Sequence, residues 1–323
     1  MTDYKTIHGF KVRSYTTDPD NLITGQVWYD KTNKVLQFQD QGAGAWASGG
    51  NLNTARDQTA GAGTQTSGLC FGGGPPVDDE TEMYNGSTWT EVADLNTARR
   101  ALSGAGASNT AALAFGGTLP PGATAVTESW NGTSWSETGD LNQVRCFAGD
   151  GAGTYTAALA AGGATANDGG PPVIALTEIF NGTSWTEVGD LNTARRTLAG
   201  GGISTSAILA GGDTGSTVGI AESWNGSAWS EVADLTTTRR RAAGGGTSNT
   251  AALIFAGSTG SNSALTELWD GTSWTEVADM SSARQLLGGT GTPAAALAFG
   301  GGDSNSTEEW TNPTLVIKTI STD

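Results

Sequence analysis

Glu178-Ile179-Phe180-Asn181-Gly182-Thr183-Ser184-Trp185-Thr186-Glu187-Val188-Gly189-Asp190-Leu191-Asn192-Thr193-Ala194-Arg195 recurs, with few changes, six times along this chain. The tryptophan inside it falls at Trp46, Trp89, Trp135, Trp185, Trp229 and Trp274. An arginine follows ten residues later each time: Arg56, Arg99, Arg145, Arg195, Arg239 and Arg284. A Gly-Gly or Ala-Gly pair then closes an apolar run, starting at Gly72, Gly116, Gly162, Gly211, Ala256 and Gly300. The tryptophans are 43 to 50 residues apart, a period that belongs to propeller blades and similar repeat architectures.

Each repeat reads as four short strands. A Gly/Ala-rich strand follows the arginine, and an apolar run such as Ala111-Ala112-Leu113-Ala114-Phe115 comes next. Thr127-Glu128-Ser129-Trp130 and Ser134-Trp135-Ser136-Glu137 give the third and fourth. Between these two stands Asn-Gly (Asn85, Asn131, Asn181, Asn225) or Asp270-Gly271, which supplies the positive φ of a tight hairpin and pairs them antiparallel. A four-stranded meander repeated radially is a β-propeller blade, and blades bury their faces only on each other. The tryptophans are the filling between them. The predicted fold is all-β, a six-bladed propeller with four antiparallel strands per blade. The sixth repeat lacks its fourth strand, and Ala45-Trp46-Ala47-Ser48 at the other end of the repeats supplies it, closing the ring. The rival for that place is Thr314–Ile320, which alternates like a strand and could instead pair with an N-terminal hairpin.

Composition marks the boundaries. Lys5, Lys11, Lys31, Lys34 and His8 precede residue 41, Lys318 follows residue 312, and no lysine or histidine lies between. The expected organisation is an N-terminal segment over 1–40, the propeller over 41–312, and a C-terminal strand over 313–323. Within the first, Gly25–Asp30 and Lys34–Phe38 flank Lys31-Thr32-Asn33 as a hairpin. The net charge of −16 disfavours nucleic acid and anionic membranes as partners. No secretory signal or membrane-spanning run is legible. Cys70 and Cys146, in apolar runs of different repeats, read as buried thiols rather than a disulfide.

Spacing is nearly constant everywhere but one place. From the second residue of the Gly-Gly pair to the third-strand glutamate the count is 9, 11, 15, 10, 10 and 7. The loops between the second and third strands therefore carry the length variation, on one face of the ring, where specificity usually resides. The candidate ligand-binding residues are Pro75, Pro76, Asp78 and Asp79; Leu119 and Pro120; Asn167 and Asp168; Asp213 and Thr214; Asn262; and Asp303. Unconstrained drift of loop length is the competing explanation.

The third-strand glutamates, the arginines and the aspartates five residues after the tryptophan recur in nearly every repeat, and an active site needs one asymmetric constellation. They read as structural ion pairs and turn caps; a ring of carboxylates holding a cation on the axis is the sharper alternative. No catalytic residues are assigned: the single histidine lies outside the repeats, zinc lacks a ligand set, and no loop has calcium spacing. No metal and no cofactor are expected. Asp213-Thr214-Gly215 stands alone, and the glycine runs precede no helix.

The di-glycine after an apolar strand, the tryptophan before the turn and the arginine ten residues on resemble the kelch family over about 270 of the 323 residues. The stretch Gly25-Gln26-Val27-Trp28-Tyr29-Asp30, with Leu36-Gln37-Phe38 and Ala45-Trp46, is similar to the start of virion-associated proteins of tailed phages. The resemblance implies a non-enzymatic virion protein, a tail-fibre or capsid-decoration adhesin made in the host cytoplasm. It would attach to other virion proteins through residues 1–40 and meet a host surface glycan or protein through its variable loops, without nucleic acid or membrane insertion. Homo-oligomerisation is left open. The alternatives are an assembly scaffold of the particle, a cellular kelch-type interaction module, and a glycan-active enzyme with two carboxylates in one pocket.

Overall fold

The computed structural model describes residues 12–19, 26–41, 44–166, 172–312 and 315–320. Asn167 and Asp168 lie outside them. All regular elements among the described residues are strands, and no helix is long and apolar enough to cross a membrane. The chain divides into two compact units, Ala45–Thr311 and a smaller one made of Met1–Gly44 with Asn312–Asp323. Described residues from both sides of the larger unit thus fall in the smaller one.

In the smaller unit, Val27–Asp30 and Val35–Gln41 pair antiparallel across the expected turn. Asp30 closes that turn by accepting from the backbone N–H groups of Thr32 and Asn33. Arg13–Tyr15 adds a parallel strand on one side, and Leu315–Ile320 pairs antiparallel with Val35–Gln41 on the other. The C-terminal strand therefore completes this sheet and not a repeat.

The larger unit holds six four-stranded antiparallel sheets, each in sequence order except the last. That last sheet runs Gly288–Gly291, Ala295–Phe299, Thr307–Thr311 and then Ala45–Ser48, with Trp46 opposite Trp310. The fold is all-β and propeller-like. Second strands such as Ala111–Phe115 read as unbroken apolar runs because both faces are covered: Ala112, Leu113, Ala114 and Phe115 are all buried. Fourth strands are short outer edges, such as Trp135–Glu137, with only the tryptophan buried and a glutamate in solvent, which blunts the edge.

Neighbouring sheets share apolar clusters. One joins Leu69 and Phe71 of the first sheet to Ala112, Trp130 and Trp135 of the second. Another joins Cys70, Tyr84 and Trp89 of the first to Leu297 and Phe299 of the sixth. Both cysteines are buried and neither is in a disulfide, and burial pushes the Cys70 thiol up to about 11. The fourth-strand indole is the recurring joint. Trp135 meets Phe71 edge-on at 5.0 Å and donates to Thr81 Oγ1 at 3.0 Å. Trp89 makes the same pair of contacts with Phe299 and Thr307. Trp185, Trp229 and Trp46 likewise donate to Thr127, Thr177 and Thr266. Where Ala221 replaces the threonine, Trp274 turns to the carbonyl of Ala233 at 3.0 Å.

The Asn-Gly hairpins differ from expectation in one respect. Only the glycine takes positive φ, as in Gly182 at 95°. The asparagine acts through its side chain: Asn181 Oδ1 accepts from the N–H groups of Thr183 and Ser184, an Asx turn inside a four-residue loop.

Candidate functional site

The repeated arginines come first, because they fix the backbone around them. Each is buried and pairs with the third-strand glutamate of the sheet it leads into: Arg56 with Glu82, Arg99 with Glu128, Arg145 with Glu178, Arg195 with Glu222, Arg239 with Glu267 and Arg284 with Glu308. Three further donors saturate most of these carboxylates; Glu178 Oε2 accepts from the backbone N–H and side-chain amide of Asn142 at 2.7 and 2.8 Å, and Oε1 accepts from the Gln143 N–H at 3.3 Å. Burial pulls the Arg99 guanidinium down to about 10, opposed by Glu128 and Asp140, so it stays charged at neutral pH. The aspartates five residues after the tryptophans cap the third strands, as Asp140 does for Thr127 N–H at 3.0 Å. These sets are architectural. The alternative of a glutamate ring on the axis is corrected: these carboxylates are sealed against arginines and line neither cavity described below.

Two residues beyond each arginine the backbone enters the left-handed region without glycine. Gln58, Ala101, Phe147, Thr197, Arg241 and Leu286 have φ between 50° and 60°. Their main chains are linked in one cycle. Ala101 N–H donates to Gln58 O, Phe147 to Ala101, Thr197 to Phe147, Arg241 to Thr197, Leu286 to Arg241, and Gln58 to Leu286, all at 2.7 to 3.1 Å. Each left-handed residue costs roughly 1 kcal/mol or more, and the six hydrogen bonds hold it there.

The cycle rims a cavity of about 60 Å³ lined by Gln58, Phe147, Thr197, Arg241 and Leu286 among others. It shares Thr59, Leu102 and Asp150 with a larger cavity of about 330 Å³, lined by the first strands of all six sheets. Those strands are glycine-rich because neighbours press together: a Cβ on Gly104 would stand 2.6 Å from Gly61 O, and one on Gly244 2.7 Å from Gly200 O.

Asp150 is the one acid among the described residues lining either cavity. It stands five residues after its arginine, where every other repeat has glycine. Gly149 N–H reaches Ala161 O while Ala152 lies opposite Leu159. Asp150 and Gly151 therefore oppose the single residue Ala160, a β-bulge. The carboxylate accepts from Gly200 N–H at 3.2 Å and from Gly244 N–H. Burial outweighs these donors and pushes its carboxyl up to about 7.

The loops between second and third strands emerge beside this rim. The residue after the arginine bridges to the loop in five repeats: Asp57 to Gly74, Arg100 to Thr118, Cys146 to Ala164, Arg196 to Asp213 and Arg240 to Ser258. Pro75, Pro76, Leu119, Pro120, Thr214, Asn262 and Asp303 are exposed there. Asp78 and Asp79 are not loop residues; they begin the third strand, with Asp78 near Arg56 at 3.8 Å. Asp213 is only 2% exposed, held by Arg196 at 3.3 Å and Arg240 at 2.5 Å, so it organises arginines and presents no free carboxylate. Burial alone would raise its carboxyl, but Gly215 N–H and these two guanidiniums hold it below the usual range.

The sequence reading missed both the cycle and Asp150. The available signal was chemical scatter inside a constant frame: Gln, Ala, Phe, Thr, Arg and Leu at one repeat position, and aspartate in a column of glycines. Among the described residues, no three His, Cys, Asp or Glu side chains group as a metal site. No protein-family model and no curated protein matches the chain.

Proposed function

We propose that the six sheets close into a six-bladed kelch-like propeller serving as a non-enzymatic binding module, with its ligand end at the rim and the variable loops. The observation that carries this is the distribution of variation. Opposite ends of the same strands differ: the Asn-Gly hairpins repeat almost unchanged, while loop length, loop chemistry and the rim side chains all change from repeat to repeat. Closure is supported by the hydrogen-bonded cycle and by Trp89, which joins the sixth sheet to the first as the other indoles join consecutive ones.

A single acid among the described residues lining the cavities favours binding over two-carboxylate hydrolysis. The partner class, a host surface glycan or protein met by a phage particle, follows the sequence resemblance of residues 25–46, and so does attachment through the smaller unit to other virion proteins. The test is a glycan array and host-cell binding assay with the labelled full chain. Shortening the 118–123 loop should abolish or redirect binding, and substitution of Thr183 and Ser184 in an Asn-Gly hairpin should leave it intact. Binding lost through the hairpins and indifferent to the loops would refute the assignment.

A further inference from the structure

The positive charge of this chain is distributed in a way its overall acidity conceals. It has eleven arginines and five lysines against 32 acidic residues, with no lysine from 41 to 312. Arg13 belongs to the smaller unit. Six arginines are consumed by buried glutamates. The four that remain, Arg100, Arg196, Arg240 and Arg241, all occupy the one or two positions after a structural arginine, at the rim.

Three of these stand together in consecutive repeats. Arg196 and Arg240 converge on Asp213 Oδ2, so two guanidiniums share one carboxylate oxygen, and Arg241 is the third cation of the group. Arg241 makes no ion pair among the described residues; its guanidinium donates to Gln285 Oε1 at 3.3 Å. Burial, then the like charges of Arg240 and Arg196, pull Arg241 below the ordinary arginine range. Cations held together against their own repulsion gain from a further anion, and the guanidinium fork fits carboxylate and phosphate oxygens. An acidic body repels anions elsewhere and leaves this as the local attraction. The adjoining rim offers Phe147 and Leu286 as apolar contacts and Gln58 and Thr197 as polar ones, a mixture suited to a sugar ring.

We infer that Arg196, Arg240 and Arg241 form a binding site for an oxyanion, a carboxylate or phosphate carried by a saccharide. The site deepens the binding-module reading and rests on it for the choice of end.

The experiment is isothermal titration of the full chain at low ionic strength with glucuronate, glucose 6-phosphate and glucose. Either charged sugar should bind and glucose should not, and which of the two binds identifies the source of the oxyanion. Affinity should fall as salt rises. Arg241→Gln should weaken binding at least tenfold. Gln58 already holds the same backbone conformation in the first repeat, so this variant keeps the fold, as its unfolding curve will verify. Arg13→Gln should bind as the parent does. The site is overturned if neither charged sugar binds, if glucose binds equally, or if Arg241→Gln binds unchanged. Charged sugar captured through Arg241, with no glycan or host cell bound, would keep the site and remove the adhesion reading; adhesion that survives Arg241→Gln would do the reverse.

Discussion

A buried ion pair is worth most when half of it is removed, because the remaining charge has no water to return to. Arg195→Met would leave the buried Glu222 with only its neutral Asn192 and Thr193 donors. Denaturant unfolding should show a loss of about 3–5 kcal/mol; a loss below about 1 kcal/mol would mean that these pairs do not hold the repeats. The indole joints are more forgiving. Trp274 already manages with a carbonyl where Ala221 stands, so Thr127→Ala should cost about 1 kcal/mol or less in the same assay, as Trp185 turns to the equivalent acceptor. Asp150 behaves differently. Its carboxyl is pushed up to about 7 from an ordinary 3.8, so the folded state holds that proton more tightly than the unfolded chain does. Its contribution to stability is therefore full below about pH 4 and is lost as pH rises through about 7. Asp150→Asn should melt increasingly above the parent as pH goes from 4 to 8, and a constant gap would contradict this. The tryptophans and arginines were readable because every repeat needs them for the same contact. Asp150 was not, because its meaning depends on a bulge and on what surrounds the centre.

At the level of strands, backbone crowding explains the glycine content. Gly104→Ala forces a Cβ to 2.6 Å from both Gly61 O and the Phe71 ring, and should cost about 1–3 kcal/mol in denaturant unfolding. Gly122→Ala meets nothing within 4 Å and should stay within about 0.5 kcal/mol of the parent. Equal effects would mean that the first strands are not packed this closely. The strand pattern was legible because alternation, turn residues and the di-glycine are local signals, and the pairing of Ala45–Ser48 with Thr307–Thr311 followed from the one missing piece. The left-handed residues were not, since Phe147, Thr197 and Leu286 carry no intrinsic preference for positive φ. Only the hydrogen bonds from neighbouring repeats impose it. Asp78, which begins a strand, and Asp213, which stays in its loop, are both held by arginines, and the sequence hid this for a related reason. An aspartate near a variable loop looks free in sequence, whereas its partners, Arg56 for one and Arg196 with Arg240 for the other, arrive from elsewhere in the chain.

For the molecule as a whole, the same six-fold frame that makes the fold easy to read hides the function, because function sits where the repeats disagree. A closed frame matters to the binding proposal: it fixes six dissimilar side chains around one opening. Amide hydrogen exchange, followed by NMR at residues 58, 101, 147, 197, 241 and 286, measures that closure at its seam. Gln58 N–H donates to Leu286 O across the two ends of the repeat series, as each of the other five donates to its neighbour. In a closed six-bladed ring all six amides exchange slowly, with protection within about an order of magnitude of one another. If Gln58 exchanges at the rate of an exposed amide while Ala101, Phe147 and Thr197 stay protected, the repeats form an open array and no common rim exists.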